Sequence, residues 1–138
     1  MTLVVPNQGE ALALDAATGK TNATAWTLRL FSNNYTPVAA TTEANVTEVS
    51  GGGYAGIALT AASWVTTPGS PTSSAYPEQT FTFTGATDNP GTIYGYYVTN
   101  AAGALVFAER LAAVFTPASA GDTVKVTPVL TLASVSGD

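Results

Sequence analysis

Alternation of apolar and polar residues organises most of this chain. Trp26-Thr27-Leu28-Arg29-Leu30 repeats with period two, as a strand with one face in a core does. Thr80-Phe81-Thr82-Phe83-Thr84 puts its phenylalanines on one face and its threonines on the other. Residues 93–99, IYGYYVT, are apolar on almost both faces, which predicts a central strand covered on both sides. Asn100-Ala101-Ala102-Gly103 then fits a tight hairpin with Gly103 at positive φ, and residues 104–111 form the return strand. Residues 123–132 close the pattern, with Val124, Val126, Leu130 and Leu132 on one parity. Pro128 lies inside that run and cannot donate a ladder hydrogen bond, so it predicts an edge position or a bulge.

The remaining segments are less regular. Residues 54–59 read as a strand in which Tyr54 and the Ile57, Leu59 pair need a change of face, supplied by a bulge near Gly56. Residues 62–65 lead to a strand or corner centred on Trp64. Residues 33–37 and the Pro-, Gly- and Ser-dense residues 66–74 read as loops, and residues 88–91 and 118–122 as turns. Residues 6–15 are the one helical segment, with Asn7 as its cap, Glu10 completing a capping box and Gly19 as its stop. So short a helix needs packing to persist. The sum is about seven short strands separated by turn signals. It predicts an all-β fold, an antiparallel β-sandwich or barrel with one short N-terminal helix, in a single domain over residues 1–138.

Composition narrows the function. Only 9% of the residues are charged, against about 25% in an average soluble domain. The surface must therefore be Thr, Ser, Asn, Ala and Gly, either as a plain neutral β surface or as ground for extensive partner contact. The net charge is −5, and the four basic residues, Lys20, Arg29, Arg110 and Lys125, are too few to track phosphates. No nucleic-acid partner is expected. Cysteine is absent, which excludes disulfides and thiolate chemistry. The N-terminal apolar run ends at Pro6 without a basic region before it, so it does not read as a signal peptide. No apolar stretch is long enough for a membrane span, so no membrane partner is expected and the chain should fold in a cytoplasm.

Histidine is also absent, and with it the commonest general base and metal ligand. Glu43, Glu48, Glu78, Asp88 and Glu109 remain as carboxylates for a glycosidase-type pair, but their spacing selects none. The plain reading of Glu109 is an ion pair with a cross-strand arginine, or solvent. Asp88-Asn89 carries too few carboxylates for a calcium loop. No catalytic, metal or cofactor-binding residue is therefore expected, and no cofactor. Residues 47–59, TEVSGGGYAGIAL, lack the lysine and helix of a phosphate loop. Their glycines read instead as positive-φ or close-approach positions at a strand entry. Tyr94, Tyr96 and Tyr97 are either a sugar-stacking platform or core and interface packing. Asn-x-Ser/Thr triplets at Asn22, Asn34 and Asn45 are expected by chance in so Thr-rich a chain.

Several stretches together resemble small virion structural proteins of tailed bacteriophages. They are Val4-Val5-Pro6-Asn7-Gln8-Gly9-Glu10, Leu28-Arg29-Leu30-Phe31-Ser32-Asn33-Asn34-Tyr35-Thr36-Pro37 and Thr47-Glu48-Val49-Ser50-Gly51-Gly52-Gly53-Tyr54-Ala55, followed by Leu59-Thr60 and Trp64. The resemblance continues through Thr80-Phe81-Thr82-Phe83-Thr84-Gly85, Ile93-Tyr94-Gly95-Tyr96-Tyr97-Val98-Thr99, Gly103-Ala104-Leu105-Val106-Phe107-Ala108-Glu109 and Gly121-Asp122-Thr123-Val124-Lys125-Val126-Thr127-Pro128. It is strongest to capsid decoration, or cement, proteins. What it implies is a mostly β protein on the capsid surface of the virion, made in the host bacterial cytoplasm. Its partners would be the major capsid protein and its own copies, as a homotrimer. It brings no catalytic residues. A phage tail or head-fibre protein that binds host glycans is the alternative, and a carboxylate hydrolase the weakest rival. Interface candidates are Gly52, Gly53, Tyr54, Tyr96 and Tyr97, with Val4 and Val5 in an N-terminal arm of residues 1–6 that would reach a neighbouring subunit.

Overall fold

The structure, a computed structural model, describes residues 3–20, 25–85 and 90–133. In chain order its elements are β1 (Leu3–Val4), helix α1 (Asn7–Ala17), β2 (Trp26–Phe31), β3 (Ile57–Leu59), β4 (Val65–Thr67), β5 (Thr72–Ala75), β6 (Gln79–Thr84), β7 (Ile93–Thr99), β8 (Leu105–Phe115), β9 (Ala120–Val126) and β10 (Val129–Leu132). Every ladder is antiparallel. The all-β reading with one short N-terminal helix holds, with ten strands among the described residues where the sequence pattern gives about seven.

Strand β7 is apolar on both faces because it lies in the middle of the largest sheet, ordered β1-β8-β7-β2-β3. Pairing of Leu28 with Val98 and of Leu30 with Tyr96 builds one face. Phe81, Phe83, Val124 and Val126, from the two-stranded β6-β9 sheet, complete that core with Phe107. Phe31, Tyr97, Leu105 and Ala108 form a second cluster, closed by Val46 from the loop after β2. Pairing of Phe31 with Gly95 and of Tyr97 with Ala108 puts this cluster on the opposite face, since successive side chains alternate. Two sandwiching layers thus cover the sheet, one of strands and one of loop. Burying each large apolar side chain contributes about 1.5–3 kcal/mol.

Helix α1 is capped one residue earlier than its sequence signals suggest. Pro6 is the capping residue, and neither Asn7 nor Glu10 makes a capping bond through its side chain. The Asn7 N–H donates instead to the Ala39 carbonyl at 2.9 Å, so the loop supplies what a cap would. Gly19, at φ 73°, stops the helix as expected. The Gly19 and Lys20 N–H groups close on the Ala16 and Asp15 carbonyls, the pattern of a Schellman ending. Gly9 seats the helix, because a Cβ there would run into the Val106 carbonyl of β8.

Four expectations need correcting. Tyr54 lies outside any strand and β3 starts only at Ile57, and it is the Tyr54 hydroxyl that accepts the Leu30 N–H, at 3.0 Å. Residues 66–74 are no simple loop. They contain the β4-β5 hairpin, with the Pro- and Gly-rich residues confined to its tip. Residues 123–132 divide at Pro128, whose carbonyl accepts the Tyr76 N–H at 2.9 Å. There the chain leaves β6 for β5, so β9 and β10 belong to different sheets and Leu132 is exposed. Finally, β8 runs on to Phe115, with residues 111–114 bulging opposite Tyr94 alone.

Gly95 is where the sheet admits no side chain. A Cβ there would strike the Phe31 ring and the Glu109 carbonyl. Gly95→Ala should therefore cost about 1–3 kcal/mol by overpacking, read by urea unfolding. Gly103→Ala, at φ 87° but with open space around it, should cost about 1–2 kcal/mol from backbone strain alone. An unchanged Gly95→Ala midpoint would contradict this packing.

Candidate functional site

Three consecutive glycines, Gly51, Gly52 and Gly53, all take positive φ (85°, 59° and 76°). The turn they make lies on the end of β6. Thr84 N–H donates to the Gly52 carbonyl at 2.9 Å, and Tyr54 N–H to the Gly51 carbonyl at 3.1 Å. A Cβ on Gly52 would come within 2.9 Å of Pro90 Cγ, and one on Gly53 within 2.8 Å of Thr84 Cγ2. Both close approaches are to the chain itself, so this triplet shapes the fold. Gly53→Ala should destabilise the isolated chain by about 1–3 kcal/mol, through strain at positive φ and contact with Thr84. Wild-type stability with altered self-association would assign the turn to a contact between copies.

A polar knot holds the turn in place. Arg29 Nη1 donates to Glu48 Oε1 at 2.8 Å, and the Tyr54 hydroxyl donates to the same oxygen at 3.0 Å. Arg29 Nε donates to Thr99 Oγ1 at 3.1 Å. The Tyr54 ring stacks on Phe81, with centroids 5.7 Å apart. The ion pair is about a third exposed and contributes modestly to stability; its effect here is to orient Tyr54. Glu48 and Glu109 are each engaged by their own donors. Tyr96 donates to Glu109 Oε1 at 3.0 Å, in place of the cross-strand arginine that the sequence suggests. Arg110 instead donates to the Tyr35 carbonyl at 3.0 Å and lies over the Tyr94 ring.

Two of the three β7 tyrosines are not a surface platform. Tyr96 is 4% exposed and Tyr97 5%, so neither ring is offered to a ligand or a neighbour in the isolated chain. The arm lies on its own chain, with Leu3 and Val4 paired to Glu109 and Ala108 of β8. Val5 packs against the core. Residues 1 and 2, Asn22, Asp88 and Asn89 fall outside the described residues. Among the described residues no group of three or more metal-ligating side chains assembles, and no helix is long and apolar enough to cross a membrane.

Burial disfavours phenolate at three of these hydroxyls. It pushes Tyr97 up to about 12, reinforced by the Glu48 charge. Tyr54 and Tyr96 are raised further, by burial first and then by Glu48 and Glu109 respectively. In the unfolded chain all three ionise near 10. Their protonated burial is therefore fully stabilising below pH 10 and is lost as pH climbs toward the folded values. Each group gives a slope of about 1.4 kcal/mol per pH unit. Stability should hold up to about pH 10 and then fall steeply, with phenolate absorbance from these three appearing together with unfolding. Their ionisation in a native-like titration would contradict the burial.

The accessible apolar surface lies elsewhere. A groove of about 180 Å³ is lined by Trp26, Leu59, Ala61, Trp64 and Leu130. The two tryptophans meet edge-on at 5.6 Å. Leu14, Val38, Val65, Val114 and Leu132 are 50–66% exposed. Sequence periodicity missed Val65 and Leu132. The signal that could have found them is the lack of any charge over residues 64–76 and 127–133. Compared with known protein families, curated proteins and solved structures, the chain matches none.

Proposed function

We propose that this chain is a bacteriophage capsid decoration (cement) protein. It binds the outer surface of the major capsid shell as a homotrimer, stabilises that shell, and has no catalytic role. The observation that carries the reading is the surface of the single chain. Among the described residues, five large apolar side chains stand half or more exposed, on a chain of which only 9% is charged. Such a surface suits burial against partners better than lifelong contact with water. The sequence stretches that resemble decoration proteins give the partner its identity, and a protein of this kind needs no cofactor. Its effect is mass action: a ligand that binds only the expanded shell at a hundredfold excess over its dissociation constant stabilises each site by about 2.7 kcal/mol.

The glycan-binding alternative loses two of its three candidate rings, because Tyr96 and Tyr97 are buried; Tyr94 is half-buried, with Arg110 over its ring. Purified protein should add to expanded capsids and raise the temperature at which they release their contents. It should bind unexpanded proheads far more weakly. Equal binding to both forms, or none to either, would overturn the proposal.

A further inference from the structure

The β10-β5-β4 sheet is built unlike the rest of the molecule. None of its strand residues is buried: β4 is exposed throughout, β5 half-buried throughout, and β10 half-buried and then exposed. A small sheet is stable only when one of its faces is covered. Here the cover is partial: Leu130 packs against the core, and the rest of the contact lies at the foot. The Trp64 and Tyr76 rings meet edge-on at 5.2 Å, and the Tyr76 hydroxyl accepts the Thr60 N–H at 3.0 Å. Beyond that foot the sheet is a wing. Among the described residues its two outer edges, β4 and β10, have no strand beside them.

Open edges in proteins that stay monomeric are guarded by charge, proline or bulges. This wing has no charge at all: residues 64–76 and 127–133 contain no Asp, Glu, Lys or Arg. Pro68 and Pro71 lie in the hairpin tip, outside the strands. The whole chain, in contrast, has nine acidic residues against four basic ones. Copies meeting through most of their surface would bring like charges together. At the wing they meet without burying any, and each edge presents the backbone donors and acceptors that the other needs. This match in charge and hydrogen bonding selects a second copy of the chain as the occupant.

We propose that β4 of one copy pairs with β10 of a neighbouring copy, so that the β10-β5-β4 sheet continues from chain to chain. Two-fold pairing of β4 with β4 would leave the β10 edge open, whereas head-to-tail pairing covers both edges with one kind of contact. It also continues the cross-strand row of Val65, Ala75 and Val129 onto the next chain. Head-to-tail contacts close into rings when the rotation between copies closes and run on as filaments when it does not, and we infer the ring here. One three-residue strand makes a weak contact, and ring closure strengthens it by making the last contact intramolecular. Only the number of copies, three, rests on the decoration reading; the pairing needs no capsid.

The test uses the free, full chain in sedimentation velocity over a concentration series. Wild-type protein should form a closed oligomer. Val65→Lys and Thr131→Lys, both at exposed positions, should each give a monomer with unchanged circular dichroism and with the thermal midpoint that wild type shows at high dilution. Mixed in equal amounts, the two variants should form a dimer, because the first keeps a clean β10 and the second a clean β4. Thr67→Glu and Leu132→Glu give a second such pair should a lysine variant misfold. A wild-type chain that is monomeric at every concentration would overturn the proposal. So would single variants that keep the wild-type assembly. An effect of Val65→Lys without one of Thr131→Lys would point to two-fold pairing and overturn it equally. If these results hold while capsids remain undecorated, the capsid reading fails alone.

Discussion

Strand β7 turns no face to water, and the placement of the other elements follows from covering it. Its neighbours β2 and β8 flank it in the sheet. On one face Phe81 and Phe83 of β6 descend onto Val98 and Tyr96. On the other, the Phe31 ring lies against the bare backbone of Gly95. A side chain at residue 95 would push that ring off the sheet, and Tyr97 and Val46 pack in the same cluster. The polar residues near this core serve it too. Tyr54 and Tyr96 bury most of their rings and donate hydrogen bonds from their hydroxyls to Glu48 and Glu109, so each carboxylate keeps an aromatic hydroxyl satisfied.

Much of this was legible because one face of a strand leaves a period of two. The TFTFT stretch announces β6, and the near-continuous apolar run of residues 93–99 announces a strand buried twice over. That second inference also implies buried tyrosines, so an interface role for Tyr96 and Tyr97 conflicts with it. Burial wins, at 4% and 5% exposure. What the sequence hid depends on partners distant in the chain. Thr72–Ala75 has no periodic apolar face, and it becomes a strand because β4 and β10 supply ladders on both its sides. Tyr54 looks like the head of a strand, yet it lies outside the sheet and its hydroxyl accepts the Leu30 N–H. Asn7 looks like a cap, yet a loop carbonyl takes its N–H.

The molecule therefore has two parts with different energetics. The sandwiched sheet holds its own core, and its glycines at 9, 52, 53 and 95 mark where backbone meets chain without room for a side chain. The wing of β4, β5 and β10 has no fully buried residue along its strands, although Leu130 packs against the core, and it has no charge to keep other chains away. In the proposed assembly the first part would keep the fold's stability and the wing would be completed by association. A decoration protein would need this combination, since it must fold alone and then hold to its neighbours.

Hydrogen exchange of backbone amides tests that division most directly. Amides of β7 should be the slowest in the chain at any protein concentration, since only global unfolding exposes them. Amides of β4 and β10 should exchange quickly in dilute protein and become protected as concentration rises. Wing amides as slow as those of β7 in the dilute monomer would contradict the account.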